Sequence, residues 1–262
     1  MVLTTNCEKF ETNPYAIKFD SEEKDLTAKQ LSRLTAEIAQ NPTKKIVTIA
    51  FISDSQRALD EFEDGIDHIN QNDSVDLVFH GGDITDYGLR IEYEKMGAAL
   101  RQLKKPFFAV FGNHDALGTG LSGYNVMFGS TNFSFKAWET KYIFFNGNHL
   151  EFDFLDGEAP NFGFLESELA ENSSDFDKIV MVAHMGPFHG EFGEDNSERY
   201  HNLIKNNGKV IYSMHGHGHS LMEGELYGTG MEYLQVNNVL DKTYHLVHIY
   251  KDGRVVTEEV SF

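Results

Sequence analysis

The chain of 262 residues holds one cysteine, Cys7. No intramolecular disulfide and no thiolate metal cluster can form from it. Long apolar runs are also missing. A membrane helix needs roughly 18 such residues, and the runs here are short, such as the seven of 46–52. The first residues, Met-Val-Leu-Thr-Thr-Asn-Cys, show no basic n-region and no apolar h-region of signal length. Basic residues are scarce: 22 Lys plus Arg stand against 41 Asp plus Glu, a formal charge of −19. Such a chain repels nucleic acid and anionic lipid through its average field, which argues against general nucleic-acid binding. It leaves room for a local site where cations reverse the sign.

The remaining composition, 40% hydrophobic and 24% charged, excludes wholesale disorder. Residues 1–44 read as an N-terminal extension with one amphipathic helix over 27–40. Leu31, Leu34 and Ile38 stand there at spacings of three and four, and Asn41-Pro42 ends the helix. The main domain is expected over 45–262. Its apolar runs at 46–52, 75–79, 107–111, 179–183 and 210–214 do not alternate, as in strands covered on both faces. Between the first three lie Leu59, Phe62, Ile66 and Ile69, then Leu89, Tyr93, Met96, Leu100 and Leu103, at helical spacing. The order β-α-β-α-β predicts parallel strands and an α/β fold. Short strands are expected at Phe133–Phe135, at 142–145, and around Phe152 and Phe154. A helix is expected over 161–170, and a two-residue Asp252-Gly253 hairpin near the end.

The polar residues at the carboxyl end of each buried run carry the chemistry. The runs release Asp54, then Asp83, then Asn113, His114 and Asp115, then His184, then His217 and His219. In open α/β sheets ligands bind at that strand edge. Asp54 and Asp83, and Asp83 and Asn113, are each separated by about one strand-helix-strand unit, so the side chains should converge. Asp, Asn and His without Cys suit Mn, Fe, Zn or Mg. The donors exceed what one tetrahedral site needs, so a two-metal site is the economical reading. Each residue alone has a plainer one. Asp54 serves equally as a helix N-cap, Gly81-Gly82-Asp83 as a turn, and His184 as a core histidine. His80, His149, His245 and His248 take a structural or exposed role, and His189 and His215 line the pocket.

Taken in order, the residues resemble the calcineurin-like metallophosphoesterase family. Its D-x-H element is here Asp54-Ser55-Gln56, and G-D-x-x-D is Gly82-Asp83-Ile84-Thr85-Asp86. G-N-H-D/E is Gly112-Asn113-His114-Asp115. A lone His is His184, and G-H-x-H is Gly216-His217-Gly218-His219. The resemblance implies a four-layer α-β-β-α sandwich, two mixed sheets flanked by helices. It implies two divalent metal ions, with Asp83 bridging them, Asp54 and His219 on the first, and Asn113, His184 and His217 on the second. His114 would sit over the substrate and stabilise or protonate the leaving oxygen, oriented by Asp115. Asp86 would hold a ligand or His114 in place.

Gln56 departs from the family's usual His. An amide oxygen is a weaker, neutral and harder donor, which favours Mn, Fe or Mg over Zn at the first position; for the two ions together Mn or Fe is favoured, with Zn or Mg as alternatives. Arg57 reads as a solvated helix residue or as a phosphate clamp. The implied activity is hydrolysis of a small phosphorylated substrate, a mono- or diester, by a metal-bridging hydroxide. The alternative is a metal-impaired binding or scaffold protein on the same fold. Asp54-Ser55-Gln56-Arg57 and the segment 115–135 are similar to bacterial members regarded as envelope lipoproteins. Two locations therefore stand, the cell envelope through lipid on Cys7, or the cytoplasm. The glycine-rich segment 118–129 is expected to act as a lid.

Overall fold

The computed structural model describes residues 13, 15–153 and 157–262. Cys7 and Phe154 lie outside them. Sheet one carries strands β1 (Ile46–Ile52), β2 (Leu77–His80), β3 (Phe107–Ala109), β10 (Thr243–Tyr250) and β11 (Val255–Ser261), in the order β11-β10-β1-β2-β3. β1, β2 and β3 are parallel, and β10 runs antiparallel to β1. The crossovers are helices α2 (Leu59–Gln71) and α3 (Arg90–Leu100). Sheet two holds β4 (Phe133–Ala137), β5 (Thr140–Phe144), β6 (Lys178–Val182), β7 (Val210–His215), β8 (Met222–Glu225) and β9 (Glu232–Gln235). Their order is β4-β5-β6-β7-β9-β8.

The sheets pack face to face, which is why their strands read as continuous apolar runs. Val47, Ile49, Phe51 and Phe79 of sheet one meet Phe135, Tyr142, Phe144, Val180 and Met214 of sheet two in one buried cluster. Phe79 meets Phe135, Tyr142 and Phe144 edge-on, and Phe108 stacks on Phe135 at 4.1 Å. Such pairs add about 0.5–1.5 kcal/mol each beyond their burial. The outer face of sheet one packs on α2, α3 and α4 (Gly120–Met127). That of sheet two packs on α6 (Phe162–Ala170) and α7 (Glu194–Lys205). The chain is thus a mixed α/β protein of two mixed sheets flanked by helices.

The extension carries α1 (Leu26–Gln40), whose Leu34 enters the core between the sheets. Arg33 Nη2 donates to the Lys104 carbonyl at 2.5 Å, and Trp138 Nε1 donates to the Asn41 carbonyl at 2.8 Å.

Several expectations are corrected. Phe152 lies not in a strand but in a short helix, α5 (His149–Asp153), buried against Phe111. Residues 120–127 are not a loose lid but α4, because Tyr124 and Met127 are anchors fully buried in the core. The last hairpin turns through three residues. Tyr250 N donates to the Arg254 carbonyl and Gly253, at φ 88°, supplies the left-handed bulge. Helix α7 and strands β8 and β9 had no clear signal in the sequence.

Candidate metal centre

The parallel strands of the two sheets deliver their polar residues to a common edge. Asp54 follows β1, Asp83 follows β2, Asn113 follows β3, His184 follows β6, and His217 and His219 follow β7. Four of these six sit at positive φ: Asp54 at 57°, Asp83 at 55°, His217 at 69° and His219 at 52°. Left-handed backbone costs an L-residue about 1–2 kcal/mol. Concentrated at one edge, it marks a place where side-chain direction outweighs local stability. The loops also approach closely. A Cβ on Gly112 would fall 2.1 Å from both Asp83 N and Asp83 Oδ1.

The side chains form two groups that meet at Asp83. Asp83 Oδ2 lies 3.3 Å from Gln56 Nε2 on one side and 3.3 Å from His184 Nε2 on the other. Asn113 Oδ1 lies 3.0 Å from His184 Nε2 and 3.0 Å from His217 Nδ1. His219 Nε2 lies 3.2 Å from Asp54 Oδ1. Asp54, Asp83 and His184 are fully buried, with their ligand atoms within 4.8 Å of one another. Gln56 Oε1 is buried with no hydrogen-bond donor, and Asp54 Oδ1 is buried with only the His219 ring nitrogen beside it and no well-aligned hydrogen bond. Orphaned oxygens of this kind cost energy unless a cation or water meets them. His184 Nδ1 lies 2.7 Å from the Gly81 carbonyl, which can only accept, so Nε2 is the nitrogen open to a ligand. Burial pulls the His184 pKa down, but the Asp83 carboxylate outweighs it, and the group is pushed up to about 10.

His114 stands beside this centre. Its backbone N–H donates to Asp83 Oδ1 at 2.9 Å, and its Nδ1 donates to the Asp86 carbonyl at 3.0 Å, so Nδ1 is committed and Nε2 is not. The Asp86 carboxylate lies 3.4 Å from the same Nδ1 and 2.7 Å from Arg57 Nε. Asp115 is placed differently from the expectation. Its carboxylate accepts from the backbone of Ile84, Thr85 and Gly112 and from Thr85 Oγ1, at 2.8–3.2 Å. Those four donors consume it, so it braces the Asp83 loop, and Asp86 is the residue that touches the His114 ring. Burial, then repulsion from Asp83, pushes the Asp115 pKa up to about 6. The Arg57 side chain is 62% exposed, with its backbone at φ 66°.

The family model for calcineurin-like phosphoesterases matches residues 47–221, more than half of the chain. The chain belongs to that family. Three solved structures share this calcineurin-like fold at low identity. A dimetal phosphatase from Danio rerio aligns with a TM-score of 0.61 at 13% identity, over 84% of this chain and 100% of that one. The purple acid phosphatase PPD1 from yellow lupin aligns with a TM-score of 0.62 at 16% identity, over 84% of this chain and 54% of that one. GAP50, described as the anchor in the inner membrane complex of Plasmodium, aligns with a TM-score of 0.62 at 13% identity, over 83% and 85%. No curated protein sequence matches the chain.

Of the other residues at this calcineurin-like centre, His189 was expected only to line the pocket, and Glu191 and Glu151 had no motif to reveal them. His189 and Glu191 lie beside His217, close enough to share an ion with it. Glu151 on α5 has a buried, unpartnered Oε2, and burial, then the charge of Asp83, raises its pKa. His215 is no ligand: Nδ1 is held by the Ala183 carbonyl and Nε2 by Ser213 Oγ. His80 is likewise engaged, by Ser55 Oγ and Gly82 N.

His80 and His215 make stability depend on pH. Both are fully buried, and burial lowers their pKa values from 6.5 to about 4 and about 3. The unfolded chain therefore takes up these protons first. The stabilisation is complete above pH 6.5 and is lost as pH falls toward 3, on the order of 8 kcal/mol for the pair, about half of it by pH 5. His184, raised to about 10, and Asp115, raised to about 6, work in the opposite sense over this range, but by less than the pair. Metal-free protein should melt several degrees lower at pH 5 than at pH 7. Equal melting temperatures by circular dichroism would refute this.

Proposed function

We propose that the protein hydrolyses phosphoric mono- or diesters at a centre holding two divalent cations. The buried Gln56 Oε1 with no donor, and Asp54 Oδ1 met only by the His219 ring, beside a carboxylate placed between two donor groups, carry the reading. Asp54, Gln56 and His219 would hold one cation; Asn113, His184 and His217 the other; Asp83 would bridge. The donors fit such ions: oxygen and imidazole with no thiolate, harder on the Gln56 side, which favours Mn, Fe or Mg over Zn there. When bound, two divalent cations neutralise phosphoryl oxygens and acidify water.

The chain's own residues supply the rest. The attacking water gives up a proton to solvent, and the resulting hydroxide oxygen bonds to phosphorus as the ester P–O bond breaks and its electron pair leaves with the alkoxide. His114 Nε2 gives that oxygen a proton. The Asp86 carbonyl fixes the ring's tautomer, and the Asp86 carboxylate balances the charge of the protonated ring. Arg57, tethered by Nε, keeps its terminal nitrogens for a phosphate oxygen. Asp115 keeps the Asp83 loop in shape.

The rival is a binding protein on the same fold, as the anchor role in the name of GAP50 illustrates, and Gln56 is the residue that favours it. Hydrolysis of p-nitrophenyl phosphate and bis-p-nitrophenyl phosphate by metal-stripped protein separates the two. Activity restored by Mn, Fe(II), Zn or Mg supports the enzyme. No activity and no tightly bound cation in folded protein would favour the binding protein.

A further inference from the structure

A cavity of about 200 Å³ opens beside the centre. Gln56, Arg57 and Asp86 form the wall it shares with the site, and Leu59, Ile84 and Met96 give it an apolar lining. Lys95, on α3, lines it as well. Lys95 is exposed and has no ion-pair or hydrogen-bond partner among the described residues. Glu92, the one other charged residue of the lining besides Arg57 and Asp86, is already occupied: its Oε2 accepts from the backbone of Tyr87 and Leu89 at 3.1 and 3.0 Å. Arg57 is fixed between Asp86 Oδ2 at 2.7 Å and the Tyr87 ring, 6.0 Å from its centroid. On a chain of net charge −19, a free ammonium and a tethered guanidinium thus share one hollow. Asp86, in its wall, also touches His114, the proton donor proposed for the leaving oxygen.

We propose that this cavity is the leaving-group subsite, and that it favours esters whose leaving group is compact, partly apolar and itself anionic. The proposal rests on the phosphoesterase reading. Arg57 and the cations would hold the transferred phosphoryl group, the aliphatic side chains would cover the linker, and Lys95 would meet the distal carboxylate or phosphate. Esters of neutral alcohols lack the last contact.

The test uses two non-hydrolysable probes of equal reach, 4-phosphonobutyrate and butylphosphonate. Their affinities for cation-loaded protein are measured by calorimetry, with p-nitrophenyl phosphate hydrolysis followed in parallel. Lys95→Ala should weaken 4-phosphonobutyrate about five- to tenfold and Lys95→Glu further, as expected for loss and reversal of a charge-assisted contact. Butylphosphonate binding and p-nitrophenyl phosphate turnover should stay unchanged. Equal effects on both probes, or none on either, would overturn the subsite while turnover persists. Wild-type protein that neither turns over p-nitrophenyl phosphate nor binds either phosphonate would instead remove the phosphoesterase reading, and the subsite with it.

Discussion

Asp83→Asn should abolish hydrolysis and weaken cation binding by more than about 10²-fold, beyond the cost of losing a residue that merely supports a ligand. The reason is position. Asp83 Oδ2 stands 3.3 Å from both donor groups, and the residue is buried, so no water replaces its charge. A neutral amide keeps the shape and removes the anion that two cations would share. Stability should respond differently. The metal-free variant loses the attraction between Asp83 and His184, but is relieved of the repulsion that raises the Asp115 pKa. Its melting temperature should therefore stay within about 4 °C of metal-free wild type, near 1 kcal/mol for a chain of this size. The loaded proteins should differ much more, because only wild type gains the binding energy. Calorimetric titration with Mn reads the affinity and scanning calorimetry the stability. An Asp83→Asn protein that takes up two cations as tightly as wild type would remove Asp83 from the bridging role.

His114→Ala should leave cation content unchanged and lower kcat by about 10²–10⁴-fold, the usual worth of a positioned proton donor. The size should depend on the leaving group. p-Nitrophenolate leaves readily without a proton, so its ester should lose least; an alkyl phosphate should lose most. Asp86→Asn should give a weaker version of the same pattern, since it removes the charge beside the ring but keeps the carbonyl that holds Nδ1. Asp115→Asn should instead lower stability, because a protonated or amide side chain cannot accept from all four donors it now serves. Equal losses for aryl and alkyl esters in His114→Ala would argue against proton delivery.

The buried parallel strands were readable because strands covered on both faces lose their alternation, as 46–52 does, whereas their division into two sheets came only with the family resemblance. The candidate ligands were readable because each comes just after such a strand. The mutual arrangement of their neighbours was not. Asp115 stands next to His114 in sequence, yet its carboxylate turns into the loop, while Asp86, 28 residues away, reaches the ring. Glu151, His189 and Glu191 come from short helices and loops with no periodicity. Phe152 misled because an aromatic residue fits a strand edge as well as one face of a five-residue helix. In 118–129 the glycines suggested a loop, whereas Tyr124 and Met127, three apart and buried, set a helix by tertiary packing.

The central claim is that one chain holds two cations through two donor groups joined at Asp83. Metal content per chain, measured by mass spectrometry after loading with Mn and removal of free ion, tests it most directly. Wild type should carry two. His219→Ala should keep the ion at Asn113, His184 and His217 and lose or weaken the other, and Asn113→Ala should show the converse. One cation per chain in wild type, or none, or the loss of both ions together in His219→Ala while the fold persists, would contradict the account.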